Sequence, residues 1–162
     1  MRLLKWIYEK THNGQAPYYY NYSLGKIVLK PIIKYLNVVI IPNIPFNSIR
    51  VMLYKALGYR IGKNVFIGMK CYLDDLCRDK IIIEDNVTIS YGVYFACHGK
   101  HQEHNEIRIK NGAYIGMRCM IISPPSRGGV TIGRDSIIGA GALVNRSVSD
   151  KATAVGVPVH IL

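Results

Sequence analysis

The segment CHGKHQEHNE, residues 97–106, gathers the side chains best suited to chemistry: Cys97, His98, His101 and His104. A histidine here can serve as a general base, because imidazole titrates near neutrality (about 6.5) and its two nitrogens can be oriented separately. Three histidines at a spacing of three would suit zinc if the segment were helical. A cysteine beside a histidine would suit nucleophilic catalysis. Gly99 and the extended surroundings argue against that helix, and adjacent residues of an extended chain face apart. The metal and covalent readings recede, no metal is expected, and the remaining contrast is between a general base and a solvated loop histidine. The cysteines Cys71, Cys77, Cys97 and Cys119 show neither paired metal-ligand spacing nor a disulfide framework, so they read as reduced thiols.

The elements that must position this segment are legible from Ile61 onward, where a large apolar residue recurs every six positions. The series is Ile61, Ile67, Leu73, then Ile83, Ile89, Phe95, then Ile109, Ile115, Ile121, then Ile132, Ile138, Val144. A period of six fits neither the 3.6 of a helix nor uninterrupted strand alternation, so the chain must turn every six residues. Four places after each of these residues stand small or β-branched ones, including Val65, Cys71, Val87, Val93, Gly99, Ala113, Cys119, Ser136, Ala142 and Val148, as a narrow triangular coil requires. Three places after, residues tolerant of positive φ recur: Asn64, Asn86, Gly92, Gly112, Asp135 and Gly141. The register breaks only at 74–82, 96–108 and 122–131, each time after a third rung. The three insertions therefore emerge at one corner of the prism, where loops on a rigid scaffold favour chemistry.

The stretches IGKNVFIG, IEDNVTIS, IKNGAYIG and IGRDSIIGAGALV resemble the signature of the hexapeptide-repeat acyltransferases, nearest the maltose, galactoside and polysaccharide O-acetyltransferases. The likeness covers about residues 45–162. It implies an all-β solenoid, a left-handed parallel β-helix of about four coils behind an N-terminal helical segment, against the usual right-handed crossover rule. It also implies a homotrimer with sites shared between neighbouring prisms. By the same likeness His98, following an ISYGV rung, takes the proton from an acceptor hydroxyl, with His101 and His104 as competitors. Asp74 of the LDD triplet would face the acceptor sugar, against the alternative of a solvated turn carboxylate. The Asn that those enzymes carry in the preceding rung has no counterpart in IGMKCY, so a different acceptor is expected. The paired Asp-His motifs of the serine acetyltransferase branch are absent, which disfavours serine.

The resemblance implies acetyl-CoA as acyl donor. Tyr114 stands where a Trp often lines the acetyl pocket, and the backbone amides of Met117 and Ala140 stand where thioester and pantetheine bind. Asn145 and Arg146 replace a common Thr-Lys, with Arg146 able to pair with a phosphate. In the tail VGVPVHIL, His160 occupies a position where Lys or Arg is frequent. The expected activity is O-acetylation of a saccharide hydroxyl in a capsule, exopolysaccharide or lipopolysaccharide precursor. N-acetylation of an amino sugar and a non-catalytic β-helix scaffold are the alternatives.

Composition bounds the rest. The 162-residue chain carries a net charge of +11. The surplus is concentrated in residues 1–58, where Glu9 is the single acidic residue. That suits an anionic partner, yet no nucleic-acid reading module accompanies it. The apolar run 27–46 contains Lys30, Lys34, Pro31, Pro42 and Pro45, a pattern a spanning helix tolerates poorly. Lys5 and Glu9 likewise interrupt any signal sequence. A cytoplasmic location is expected, with residues 1–44 touching the inner face of a membrane. Two domains are expected, a basic and partly helical cap at 1–58 and the coil at 59–162. Within the cap, a short helix follows Pro45, with Asn47 or Ser48 as its N-cap, Ile49, Leu53, Ala56 and Leu57 on its apolar face and Gly58 at its end. It would cover the open edge of the coil.

Overall fold

The computed structural model describes residues 2–12, 23–98, 104–123 and 128–162. It forms two compact units, Met1–Leu36 and Asn37–Leu162. The first contains helices α1 (Arg2–Thr11) and α2 (Leu24–Tyr35), and residues 37–58 belong with the coil. Among the described residues no helix is long and apolar enough to cross a membrane.

The second unit is a parallel β-solenoid with three faces. The first face stacks β1 (Arg60–Ile61), β3 (Ile81–Ile83), β6 (Ile107–Ile109) and β9 (Val130–Ile132). The second stacks β2 (Phe66–Ile67), β4 (Thr88–Ile89), β7 (Tyr114–Ile115), β10 (Ile137–Ile138) and β12 (Thr153–Val155), closed by β13 (His160–Ile161). The third holds β5 (Tyr94–Ala96), β8 (Met120–Ile122) and β11 (Leu143–Val144). Three turns carry a strand on every face. The opening turn reaches the third face only as a bridge between Tyr72 and Tyr94, so the expected four coils are three full turns and a partial one.

Like pairs with like up the stack: Ile61 with Ile83, Ile67 with Ile89, Phe95 with Ile121. Nearly every residue of the six-residue series is fully buried, and so are the described small residues four places on, including Cys71, Ala113, Cys119 and Ser136. The corners foreseen at Asn64, Asn86, Gly92, Gly112, Asp135 and Gly141 all have positive φ, joined by Lys70, Arg118 and Lys151. The six-residue spacing is thus a strand of two or three residues, an inward small residue and a left-handed corner, repeated.

The helix after Pro45 is α3 (Asn47–Ala56), and it covers the open edge differently from the sequence expectation. Its N-cap is Phe46, without a side-chain cap bond. Asn47 instead pairs with the coil, its Nδ2 donating to the Val65 carbonyl at 3.0 Å and its Oδ1 accepting from the Ile67 amide at 2.9 Å. The face against the coil runs through Asn47, Arg50 and Tyr54, with Leu53 and Leu57 packed against the core as expected, while Ile49 and Ala56 are exposed. Arg50 is buried and gives Nε and Nη2 to the Ile67 carbonyl at 3.0 and 2.5 Å. A strand edge presents unpaired amides and carbonyls, so the residues that cover it must be polar at their tips.

Candidate active site

Strand β5 leads directly into Cys97 and His98, and the extended backbone sends them opposite ways: Cys97 is fully buried in the coil, while the His98 side chain keeps about a third of its surface exposed. One turn below, Asp74 follows Leu73 at the start of the first insertion. The stack brings the two together, and Asp74 Oδ2 lies 2.5 Å from His98 Nδ1.

Asp74 is wholly buried, and every contact it makes is internal. Its Oδ2 also accepts from the Cys97 amide at 2.8 Å, and its Oδ1 accepts from the Leu76 amide at 3.1 Å. Burial by itself would push this carboxyl up. The hydrogen bonds from His98, Cys97 and Leu76 outweigh it and hold the group below the usual carboxylate range. An ionised carboxylate only accepts, so His98 Nδ1 donates to it, and Nε2 is the ring nitrogen left to take up a proton from a ligand.

The backbone beneath is clamped in turn. Tyr59 hydroxyl lies 2.9 Å from the Leu73 carbonyl, 3.2 Å from the Asp74 carbonyl and 2.9 Å from Asn37 Oδ1. Asn37 Nδ2 donates to the same Leu73 carbonyl at 2.8 Å. Both residues are buried. Neither carries a motif that sequence reading could have found.

This geometry corrects two expectations. Asp74 does not face an acceptor, since its carboxylate is enclosed and spent on the backbone and His98. Nor is an Asp-His pair absent: it is assembled across one turn from residues 24 apart in the chain. A register argument could have found it, because Asp74 stacks beneath the strand that delivers His98. His104 bridges His98 through an antiparallel backbone pair at the base of the second insertion, and His101 lies outside the described residues.

Most of the residues expected around an acyl donor lie elsewhere on the prism. Tyr114 points outward from the second face, its hydroxyl 3.2 Å from Ser90 Oγ. Met117 and Ala140 occupy the corner between the second and third faces. Successive turns approach closely there: a Cβ on Gly116 would stand 2.6 Å from the Ala140 nitrogen and 2.7 Å from the Ile138 carbonyl oxygen. Asn145 and Arg146 follow β11, and Arg146 Nη2 donates to the Val159 carbonyl at 2.6 Å. His160 lies on β13, which pairs antiparallel with β12. Within one chain, therefore, His98 and the Tyr114, Met117 and Ala140 group sit on different edges.

The family described as the hexapeptide repeat of succinyl-transferase matches residues 59–95 and 106–146. The chain belongs to the hexapeptide-repeat family. Among relatives, a serine acetyltransferase of Bacillus subtilis is 33% identical over 107 residues, 65% of this chain and 45% of that protein. A galactoside O-acetyltransferase of Escherichia coli is 32% identical over 122 residues, 64% of this chain and 56% of that protein. This hexapeptide-repeat chain thus spans about half the length of the relatives it matches. A Vibrio cholerae hexapeptide-repeat acetyltransferase, solved with acetyl coenzyme A, shares the fold at a TM-score of 0.68 and 24% identity, over 95% of both chains.

Proposed function

We propose that the chain transfers an acetyl group from acetyl-CoA to a saccharide hydroxyl, with His98 as general base and Asp74 as the residue that positions it. The observation carrying this reading is the buried, ionised Asp74 holding His98 Nδ1 at the insertion corner of a hexapeptide coil. Acetyl-CoA, when bound, supplies an activated acyl carbon. His98 Nε2 accepts the acceptor's hydroxyl proton as that oxygen attacks, and Asp74 stabilises the resulting imidazolium at Nδ1. Nε2 then returns the proton to the departing sulfur, which restores the base.

The acyl-donor residues are Tyr114, the amides of Met117 and Ala140, Asn145, Arg146 and His160. Arg146 suits a phosphate: one N–H is anchored to the Val159 carbonyl, and the guanidinium has further donors. Because Tyr114, Met117 and Ala140 lie on a different edge from His98, a complete site requires a neighbouring copy, and the protein acts as a homotrimer. Exposed apolar residues on the second and third faces, Phe66, Tyr94, Tyr114, Met117, Met120 and Ile137, support that assembly. Replacing His98 by Ala should abolish transfer while leaving the trimer and CoA binding intact; retained turnover refutes the assignment.

Serine is the second acceptor reading. It is favoured by the Asp74–His98 pair and by the serine acetyltransferases among the relatives. Turnover with a saccharide panel against free L-serine separates the two, and alkali-labile acetate in the product separates ester from the amide of an amino sugar. For residues 1–44 we infer a peripheral contact with an anionic membrane, supported by exposed Val28, Leu29, Ile32 and Tyr35 interleaved with Lys30 and Lys34 on α2. Co-sedimentation with anionic but not neutral vesicles checks it.

A further inference from the structure

The polar pair at the insertion corner has a third neighbour that the acetyl-transfer reading does not use. The first insertion doubles back after Asp74, where the Leu76 amide bonds to Asp74 Oδ1, and this return brings in Cys77 ahead of the short helical turn Arg78–Lys80. One ligand atom each from Asp74, Cys77 and His98 lie within 4.8 Å of one another. Asp74 is 0% and Cys77 1% exposed, so the cluster opens to solvent only on the His98 side. Among the described residues no other group of three such side chains converges in this way.

We propose that Asp74, Cys77 and His98 form a binding site for a thiophilic divalent cation, with zinc as the natural occupant and cobalt(II) as its reporter. One thiolate, one imidazole and one carboxylate make a borderline-soft donor set of the kind zinc takes, whereas calcium and magnesium demand shells of oxygen. Charge closes as well: a doubly positive ion against one thiolate and one carboxylate leaves the buried site neutral. The geometry needs only small movements. Tetrahedral zinc at ~2.0–2.3 Å from its ligands sets them ~3.3–3.6 Å apart, so Cys77 closes in slightly and the Asp74–His98 contact opens to admit the ion. The Cys77 thiol proton leaves to solvent, and the single His98 ring proton moves from Nδ1 to Nε2 by exchange with water, so the ring stays neutral as the metal takes its place at Nδ1. The solvent side of His98 leaves the fourth position for water.

Occupancy has a consequence that rests on His98 being the base. A metal at Nδ1 leaves the ring proton on Nε2, the atom that must accept the acceptor's proton. The metal-loaded enzyme is therefore switched off, by a change of tautomer at one nitrogen.

The test begins with binding, so that it stands apart from catalysis. Cobalt(II) is added to full-length, metal-stripped protein in the absence of any coenzyme thiol, because free thiols compete for the ion. The expected result is a thiolate-to-cobalt charge-transfer band with visible bands of four-coordinate cobalt, saturating at one ion per chain and displaced by zinc. Cys77→Ser and Cys77→Ala should each lose the charge-transfer band and keep metal-free acetyl transfer within about threefold. As a check that needs no variant, X-ray absorption on zinc-loaded wild-type protein should show one sulfur at about 2.3 Å. A shell of nitrogen and oxygen only, a charge-transfer band surviving in both variants, or cobalt lost on gel filtration overturns the site. If zinc binds through Cys77 and acetyl transfer continues undiminished, the metal site stands and the assignment of His98 as base falls.

Discussion

Two corners of the same prism are built to opposite specifications. Between the second and third faces every turn is minimal: Gly116 lets the next turn approach to backbone contact, and Gly92, Arg118 and Gly141 adopt positive φ with no residues to spare. Between the third and first faces the chain inserts extra residues at three successive turns, and buried polar groups collect there: Asp74, Tyr59, Asn37 and Ser123. The repeat leaves the tight corner no room for inserted loops and only backbone amides to offer a ligand. The loose corner has room, and its polar groups are held in place by hydrogen bonds where the tight corner relies on packing. Substitutions at the tight corner should therefore damage stability, and substitutions at the loose corner should damage turnover.

The largest expected effect is at the loose corner. His98→Ala should lower kcat by about 10²–10⁴-fold with little change in the thermal midpoint, measured by acetyl transfer beside scanning calorimetry. A fall in the midpoint that matched the loss of activity would break the contrast. Gly116→Val at the tight corner should show the reverse, a loss of about 1–3 kcal/mol in urea unfolding, because its Cβ would meet backbone atoms at 2.6 and 2.7 Å.

Tyr59→Phe sharpens the comparison, because it removes a hydrogen bond one layer behind the reacting group. It should cost about 1–3 kcal/mol of stability and reduce kcat severalfold while leaving the KM for acetyl-CoA unchanged. An unchanged kcat would limit Tyr59 to a structural role. The smallest effect concerns acid. Asp74 is held below the usual carboxylate range, so its contribution to stability is full above the unfolded value of about 3.9. It is lost as the pH falls through the lower folded value. Asp74→Asn should flatten that acid limb in pH-dependent melting curves.

The coil was legible because its constraint is periodic: each inward aliphatic residue and each positive-φ corner repeats the same local geometry, so twelve weak signals agree. The Asp74–His98 pair was not, because the two residues are 24 apart in the chain and meet only through the stacking of turns. Asp74 therefore read as a contact to the acceptor or a solvated turn carboxylate, although its place in the register lies directly below the strand that ends at Ala96. Helix α3 misled for a related reason. Hydrophobic periodicity selects Ile49, Leu53, Ala56 and Leu57, of which Leu53 and Leu57 pack on the core, but it passes over Asn47 and Arg50, which match the row of backbone carbonyls and amides being covered. Asn37 and Tyr59 lie outside any motif, and their role appears only once the carbonyls of Leu73 and Asp74 are in place.

The seating of α3 on the first rung, together with the reversed direction of β13 at the opposite extremity, bears on how copies of this protein can meet. A parallel solenoid with bare extremities would be a template for its own elongation, each molecule extending the ladder of the last into a fibre. Here the lower extremity is plugged by Asn47 and Arg50, and the upper one ends in a strand running the wrong way. Both features oppose addition of a parallel strand at the edges they cover.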